Sequence, residues 1–265
     1  MTVGARPTGA LSIGVAAAAG AGIAARIAPD IEAAGLHALW VNDTPGHDAL
    51  EVLAAAARVT DRLVLATGVL PVDRRSPAEI LDRVSALGLP VERLVIGIGS
   101  GSGSAGALDR VRDAAAALRR ATTARVVVGA LGPRMRRLGA EASDGLLLSW
   151  LTPEVAAGQT AAAHAAAHGS GPAAHVALYV RAALEPAAVA RLDAETGAYA
   201  GYPAYAANFE RLGVTAADTT IAPRDAAARI AAYRAAADEI VLRAMTVGDD
   251  AEDYVRFIGA VAAAR

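Results

Sequence analysis

Gly129-Ala130-Leu131-Gly132-Pro133 ends one short apolar run and opens a helical segment, a layout suited to holding an anion. Glycines let the main chain come close to a ligand, proline fits the first helical position, and the first N–H groups of a helix point at a bound charge. Arg134 follows at once and is a further candidate for the same anion. A second apolar run, 145–149, leads into Trp150, Leu151 and a new helix start at Thr152-Pro153-Glu154. A glycine and serine run, Gly97 to Gly106, also follows an apolar run, and Gly101, Gly103 and Gly106 fit the spacing G-x-G-x-x-G. The dinucleotide fingerprint belongs in the first βα turn, with an acid about 20 residues further on. Here the run is in the fourth turn, and no Asp or Glu occurs between Asp113 and Glu141. A plain loop and a pocket lining both stay open for it.

What is missing narrows the chemistry further. The 265 residues contain no cysteine, which removes disulfides, thiolate metal sites and cysteine nucleophiles. All 25 basic residues are arginine, so Schiff-base chemistry and a phosphate-loop lysine are absent from the chain. His164 and His168 stand four apart on a helical stretch, but no H-E-x-x-H completes them, and no metal is expected. Ser100, Ser102 and Ser104 have no nucleophile-elbow context and no paired histidine. A formal net charge of −2 makes no electrostatic case for nucleic acid or an anionic membrane.

These segments need a scaffold that brings strand ends together. Short apolar runs at 11–15, 38–42, 63–70, 94–99, 125–130, 145–149, 175–181 and 239–243 read as buried parallel strands. Helical stretches lie between them, and Ser76-Pro77-Ala78-Glu79 is a capping box with proline at its first position. Eight strands alternating with helices predict a (β/α)8 TIM barrel, with a doubly wound sheet as the rival. With no linker in its composition, the chain is expected to be a single domain over 1–265. Residues 181–223 are too long for one crossover and form an insertion after strand 7 that carries Tyr199, Tyr202, Tyr205 and Phe209. Arg6 ahead of an Ala/Gly-rich run resembles a leader only superficially, because that run reads as the first strand and helix. A cytoplasmic location is the expectation.

The segment GALGPRMRRLGAEASDGLLLSWLTPE resembles the luciferase-like monooxygenase superfamily, in particular its coenzyme F420-dependent branch with the methylenetetrahydromethanopterin reductases. The resemblance runs from about Leu11 to Ile258. It implies an oxidoreductase that passes a hydride between the deazaflavin F420 and a small organic substrate. FMN in a monooxygenase of the same superfamily is the alternative, and a non-catalytic barrel is a third reading. The resemblance further implies that Gly129, Ala130, Leu131 and Gly132 meet the cofactor phosphate, that Ser149, Trp150 and Leu151 line the adjoining strand end, and that Gly99 and Ser100 line the pocket. Leu65 to Leu70 is similar to the family's third strand, which implies a cis peptide at Gly68-Val69 behind the ring. Leu39-Trp40-Val41-Asn42-Asp43 is similar to the second strand, which implies that Asp43 faces the ring as a cofactor-binding and catalytic residue. Thr44 and Pro45 follow it where most members have histidine, and the next histidine is His47. The insertion would wall the substrate with Arg181, Tyr199, Tyr202, Tyr205 and Phe209. A homodimer is the implied assembly.

Overall fold

A computed structural model describes residues 8–101, 105–166 and 173–264; Arg6, Ser102, Gly103, Ser104 and His168 lie outside the described residues. Nine parallel strand segments are found among those described: β1 (Ala10–Ala16), β2 (Ala38–Asn42), β3 (Val64–Thr67), β4 (Leu70–Pro71), β5 (Leu94–Gly99), β6 (Arg125–Gly129), β7 (Gly145–Ser149), β8 (His175–Ala182) and β9 (Glu239–Ala244). Their order is β3-β2-β1-β9-β8-β7-β6-β5-β4, and β3 also pairs with β5 through Leu65–Leu94 and Ala66–Val95. That pairing closes a barrel of eight staves, because β3 and β4 share one. The expected strand over 63–70 is thus split. Thr67 Oγ1 donates to Gly97 O at 3.0 Å and accepts from Gly97 N at 2.8 Å, so a side chain takes the place of the backbone ladder at this point.

The helices are α1 (Gly20–Ala33), α2 (Ala49–Ala57), α3 (Pro77–Ala86), α4 (Ala107–Ala121), α5 (Pro133–Ala142), α6 (Pro153–Ala166), α7 (Val189–Gly201), α8 (Pro203–Leu212), α9 (Ala226–Ala236) and α10 (Ala251–Ala263). Ser76 and Glu79 form the expected capping box at α3. Asp250 caps α10 by accepting from Asp253 N at 2.9 Å, which gives the acids of that helix start a structural task. The large core lies between barrel and helices, where Ile13, Leu39, Leu65, Ile96 and Val126 are fully buried. A smaller cluster, including Trp40, Ala66, Val127, Leu147 and Tyr179, fills the barrel itself.

One buried carboxylate ties staves together inside. Glu239 accepts from Ser12 Oγ and Trp40 Nε1, both at 2.6 Å, and contacts His175 Nε2 at 2.9 Å. His164 is engaged too, 2.8 Å from Asp238 Oδ2. Among the described residues, no helix is long and apolar enough to cross a membrane.

The expected insertion is built from α7 and α8. Its two ends are tied to each other, since Ile221 N donates to Arg181 O and Ala183 N to Ile221 O, both at 2.9 Å.

Candidate cofactor site

Strand alternation decides which side chains meet at the C-terminal ends of the staves. Val69 lies across glycines of two neighbouring strands: a Cβ on Gly99 would stand 2.6 Å from Val69 Cγ2, and one on Gly129 would stand 2.9 Å from Cγ1. Gly68, Val69, Gly99 and Gly129 are therefore one contact group. The Gly68–Val69 peptide is cis, as the resemblance implied. Asn42 Nδ2 donates to Gly68 O, and Asn42 Oδ1 accepts from Tyr179 Oη at 2.5 Å. Burial pushes the Tyr179 phenol well above its ordinary value, so it stays a neutral donor. Neither Asn42 nor Tyr179 was singled out from the sequence. Their inward parity with Trp40 and Ala177 was the available signal.

The turn to α5 adjoins this group. Ala130 N donates to Leu147 O at 3.0 Å and holds the strand end against β7. Gly132 is the N-cap of α5 in extended conformation, φ −92° and ψ 161°, no side chain caps the helix, and proline is in the first turn. A Cβ on Gly132 would meet nothing within 4 Å. An open side next to uncapped helical N–H groups fits a phosphate. Arg134 is exposed, whereas Arg136 turns back and donates to Leu131 O at 3.0 Å.

Ser149 and Trp150 belong to a second group with the insertion. Ser149 Oγ accepts from Arg181 Nη1 at 2.8 Å, and Arg181 Nε pairs with Glu195 Oε1 at 3.0 Å. The Arg181 guanidinium lies 4.1 Å from the Trp150 ring and 4.7 Å from the Tyr199 ring. Phe209 meets Trp150 edge-on at 5.8 Å, and Tyr205 meets Tyr199 at 4.9 Å. Tyr202 is 53% exposed and stands at the outer edge of this cluster. Leu151 faces the outer core, with its carbonyl accepting from Tyr233 Oη at 3.0 Å. Trp150 has φ +58°, and its buried Nε1 has no acceptor among the described residues. Ser100 follows Gly99, half-buried.

Asp43 falls in neither group. Its inward neighbour is Asn42, and its own carboxylate turns toward the start of α2, where Oδ1 accepts from Ala49 N at 3.2 Å. Arg75 and Arg74 stand 3.6 and 3.9 Å from it. A cavity of about 580 Å³ opens here, lined by Asp43, Thr44, His47, Glu51, Arg74 and Arg75 among others. Thr44 Oγ1, at the position after Asp43, is buried without a partner among the described residues.

Residues 7–122 match the model of the luciferase-like monooxygenase family. No curated protein matches the chain. Solved structures do match it in fold. The coenzyme F420-dependent tetrahydromethanopterin reductase of Methanopyrus kandleri is 16% identical, over 96% of this chain and 97% of that one, with a TM-score of 0.72. The oxygenating constituent of 3,6-diketocamphane monooxygenase from Pseudomonas putida, in complex with FMN, is 12% identical over 96% and 97%, with a TM-score of 0.71. Monooxygenase RslO1 from Streptomyces bottropensis is 19% identical over 96% and 98%, also at 0.71. Residues 7–122 thus match the luciferase-like monooxygenase family model, and almost the whole chain shares its fold with these solved structures.

Proposed function

We propose that the protein is an F420-dependent oxidoreductase that passes a hydride between the deazaflavin and a small organic substrate, as a single-domain barrel that pairs into a homodimer. The observation that carries this reading is the Val69 platform over Gly99 and Gly129, set beside the open N-terminus of α5. Such a surface offers a flat ring an apolar backing and its phosphate a set of N–H donors. Coenzyme F420, when bound, supplies the hydride at a ring carbon, so a chain without cysteine, lysine or a catalytic triad is not at a disadvantage.

The chain's own work is positioning. Asn42 and Tyr179 hold the Gly68 carbonyl, which fixes Val69 over its two glycines. Gly129 to Gly132 and the first turn of α5 take the phosphate. Arg181, pinned by Ser149 and Glu195, braces Trp150 and Tyr199, and the rings of the insertion exclude water from the acceptor. FMN is the second reading for the same place, supported by the FMN-bound relative of similar fold.

Titration of the purified protein with F420 and, separately, with FMN tests the assignment. Quenching by F420 at micromolar concentration, with turnover of a reductant or acceptor, is the expected result. Tight FMN binding alone transfers the site to the monooxygenase reading. Binding of neither reduces the chain to a non-catalytic barrel and overturns the proposal.

A further inference from the structure

Alternation along β9 sends every second side chain into the barrel. Glu239 reaches Ser12 and Trp40 there, Val241 belongs to the interior cluster, and Arg243, two residues further on, is the inward residue at the C-terminal mouth. β8 does the same with Ala177, Tyr179 and Arg181, and Arg181 and Arg243 are register partners. Two like charges thus stand on adjacent staves. On its other flank Arg243 pairs with Gly14, and the space that a side chain would fill there is taken by Tyr179, whose Oη is 2.5 Å from where a Cβ would be. Burial raises the Tyr179 phenol, and the Arg243 and Arg181 cations work against it, in keeping with this arrangement.

The two cations differ in how they are compensated. Arg181 is buried, paired with Glu195 at 3.0 Å and stacked on Trp150. Arg243 is half-buried and has no carboxylate partner among the described residues; its one bond is from Nη1 to Ala244 O, at 2.7 Å. Asp249, in the turn after β9, is taken by Arg191 at 2.5 Å. Most of the Arg243 N–H donors are therefore unused, and a half-buried cation without a counter-ion costs free energy until an anion arrives. The α5 turn, to which the proposed function gives the cofactor phosphate, follows β6, three staves from β9, so it is a separate place. β9 is four staves from β5 by either route, so Arg243 stands across the barrel from the Val69 platform. We infer that Arg243 anchors the substrate by a carboxylate group, which makes the substrate a small organic acid. One guanidinium offers one positive charge on a planar fork, the match for a monoanionic carboxylate. That the acid is the cofactor's hydride partner rests on the proposed function; the anion anchor rests on Arg243 and its neighbours alone.

Calorimetric titration of the full chain with acetate and benzoate, and with the neutral acetamide and benzamide, tests the anchor; F420 and FMN are titrated beside them. The wild type should bind at least one carboxylate about 10- to 100-fold more tightly than its amide, the value of a hydrogen bond to a charged group. Arg243→Gln should lose that preference while amide and cofactor affinities stay unchanged, and Arg243→Lys should keep part of it. Without ligand, Arg243→Gln should melt no lower than wild type, because an uncompensated charge has been removed. A wild type that binds each carboxylate no better than its amide overturns the anchor, and so does a preference that survives in Arg243→Gln. With F420 or FMN still bound, that failure leaves the proposed function standing. An Arg243-dependent preference in a chain that binds neither cofactor does the reverse. A melting temperature that falls in Arg243→Gln, with no carboxylate preference in the wild type, makes Arg243 a structural cation. Should Arg243→Gln fail to fold, Arg243→Lys decides: a preference equal to that of the wild type overturns the anchor.

Discussion

Gly99→Ala probes the platform directly. The new methyl would stand 2.6 Å from Val69 Cγ2 and 3.7 Å from its Cβ. Carbon atoms in contact prefer about 3.5–4.0 Å, so the methyl intrudes by roughly 1 Å. Val69 cannot yield toward Gly129, because its Cγ1 already lies over that glycine, 2.9 Å from where a Cβ would be. Overpacking of this kind costs about 1–3 kcal/mol, while alanine in place of a strand glycine returns about 0.5–1 kcal/mol. The net loss expected for the single variant is about 0–2.5 kcal/mol. Val69→Ala alone removes two methyl groups, worth up to about 1.6 kcal/mol at about 0.8 per buried carbon. In the double variant the intrusion has no object, so the measured loss should fall short of the sum by about 1–3 kcal/mol. Urea unfolding of the four proteins reads the cycle, and cofactor titration alongside it should show the largest affinity loss in Gly99→Ala. Additivity within about 0.5 kcal/mol would refute the contact and with it the platform.

Three other perturbations follow from the same geometry. Asp43→Ala should lose about 1 kcal/mol, since Ala49 N–H loses its acceptor, and should lower turnover about 10²-fold if the carboxylate also handles a proton; Asp43→Asn keeps an acceptor without the charge, and its full activity in a steady-state assay would remove Asp43 from the chemistry. Gly132→Val should fold normally, with an extended backbone and nothing within 4 Å of the new Cβ, yet lose cofactor affinity in a fluorescence titration; equal affinity would put the phosphate elsewhere. Burial holds His37 below its ordinary 6.5, with Arg125 and His175 adding to the effect against Glu239, so below that pH the unfolded chain binds a proton that the folded one refuses. Burial would raise Glu239, but His175, His37 and Ser12 outweigh it and hold the carboxyl below its ordinary 4.5, so its contribution is present above that value and lost as pH falls through it. Stability measured by urea unfolding should therefore drop in two stages on acidification, and His37→Asn should remove the first; a flat profile from pH 7.5 to 5.5 would contradict it.

The staves were legible because each is a short apolar run bounded by turn residues. The runs at 38–42, 94–99 and 145–149 coincide with β2, β5 and β7. The Gly132-Pro133 turn and the Ser76 capping box were legible for the same reason, since local backbone chemistry specifies them. The break inside 63–70 was not, because on the β5 side Thr67 bonds Gly97 through its hydroxyl, and Gly97 is on another strand. Asn42 and Tyr179 are 137 residues apart, and their contact exists only once the barrel closes. The same holds for the cage of rings around Arg181. For Asp43, which the resemblance places at the ring, the structure adds partners the sequence did not show: the α2 start and two arginines lie at its carboxylate, and the preceding Asn42 bonds Gly68.

The two halves of the candidate site differ in how they are held, and that difference assigns their tasks. The Val69 platform is fixed by ladder hydrogen bonds, by Thr67 on Gly97 and by Asn42 on Gly68, all within the rigid staves. The wall formed by α7 and α8 is tied to the barrel at Arg181 and Ile221, and the contacts described over Trp150 and Arg181 are tilted and edge-on rings and one pinned guanidinium. Ring contacts of this type are worth about 0.5–1.5 kcal/mol each, and they slide more readily than a hydrogen-bonded strand. A reaction that needs its cofactor in one place and its substrates admitted and released demands this partition. Under the proposed function, the hydrogen-bonded half is then the part expected to serve the ring and phosphate, and the insertion, with Tyr199, Tyr205 and Phe209 on it, the part expected to set substrate selectivity and to move during turnover.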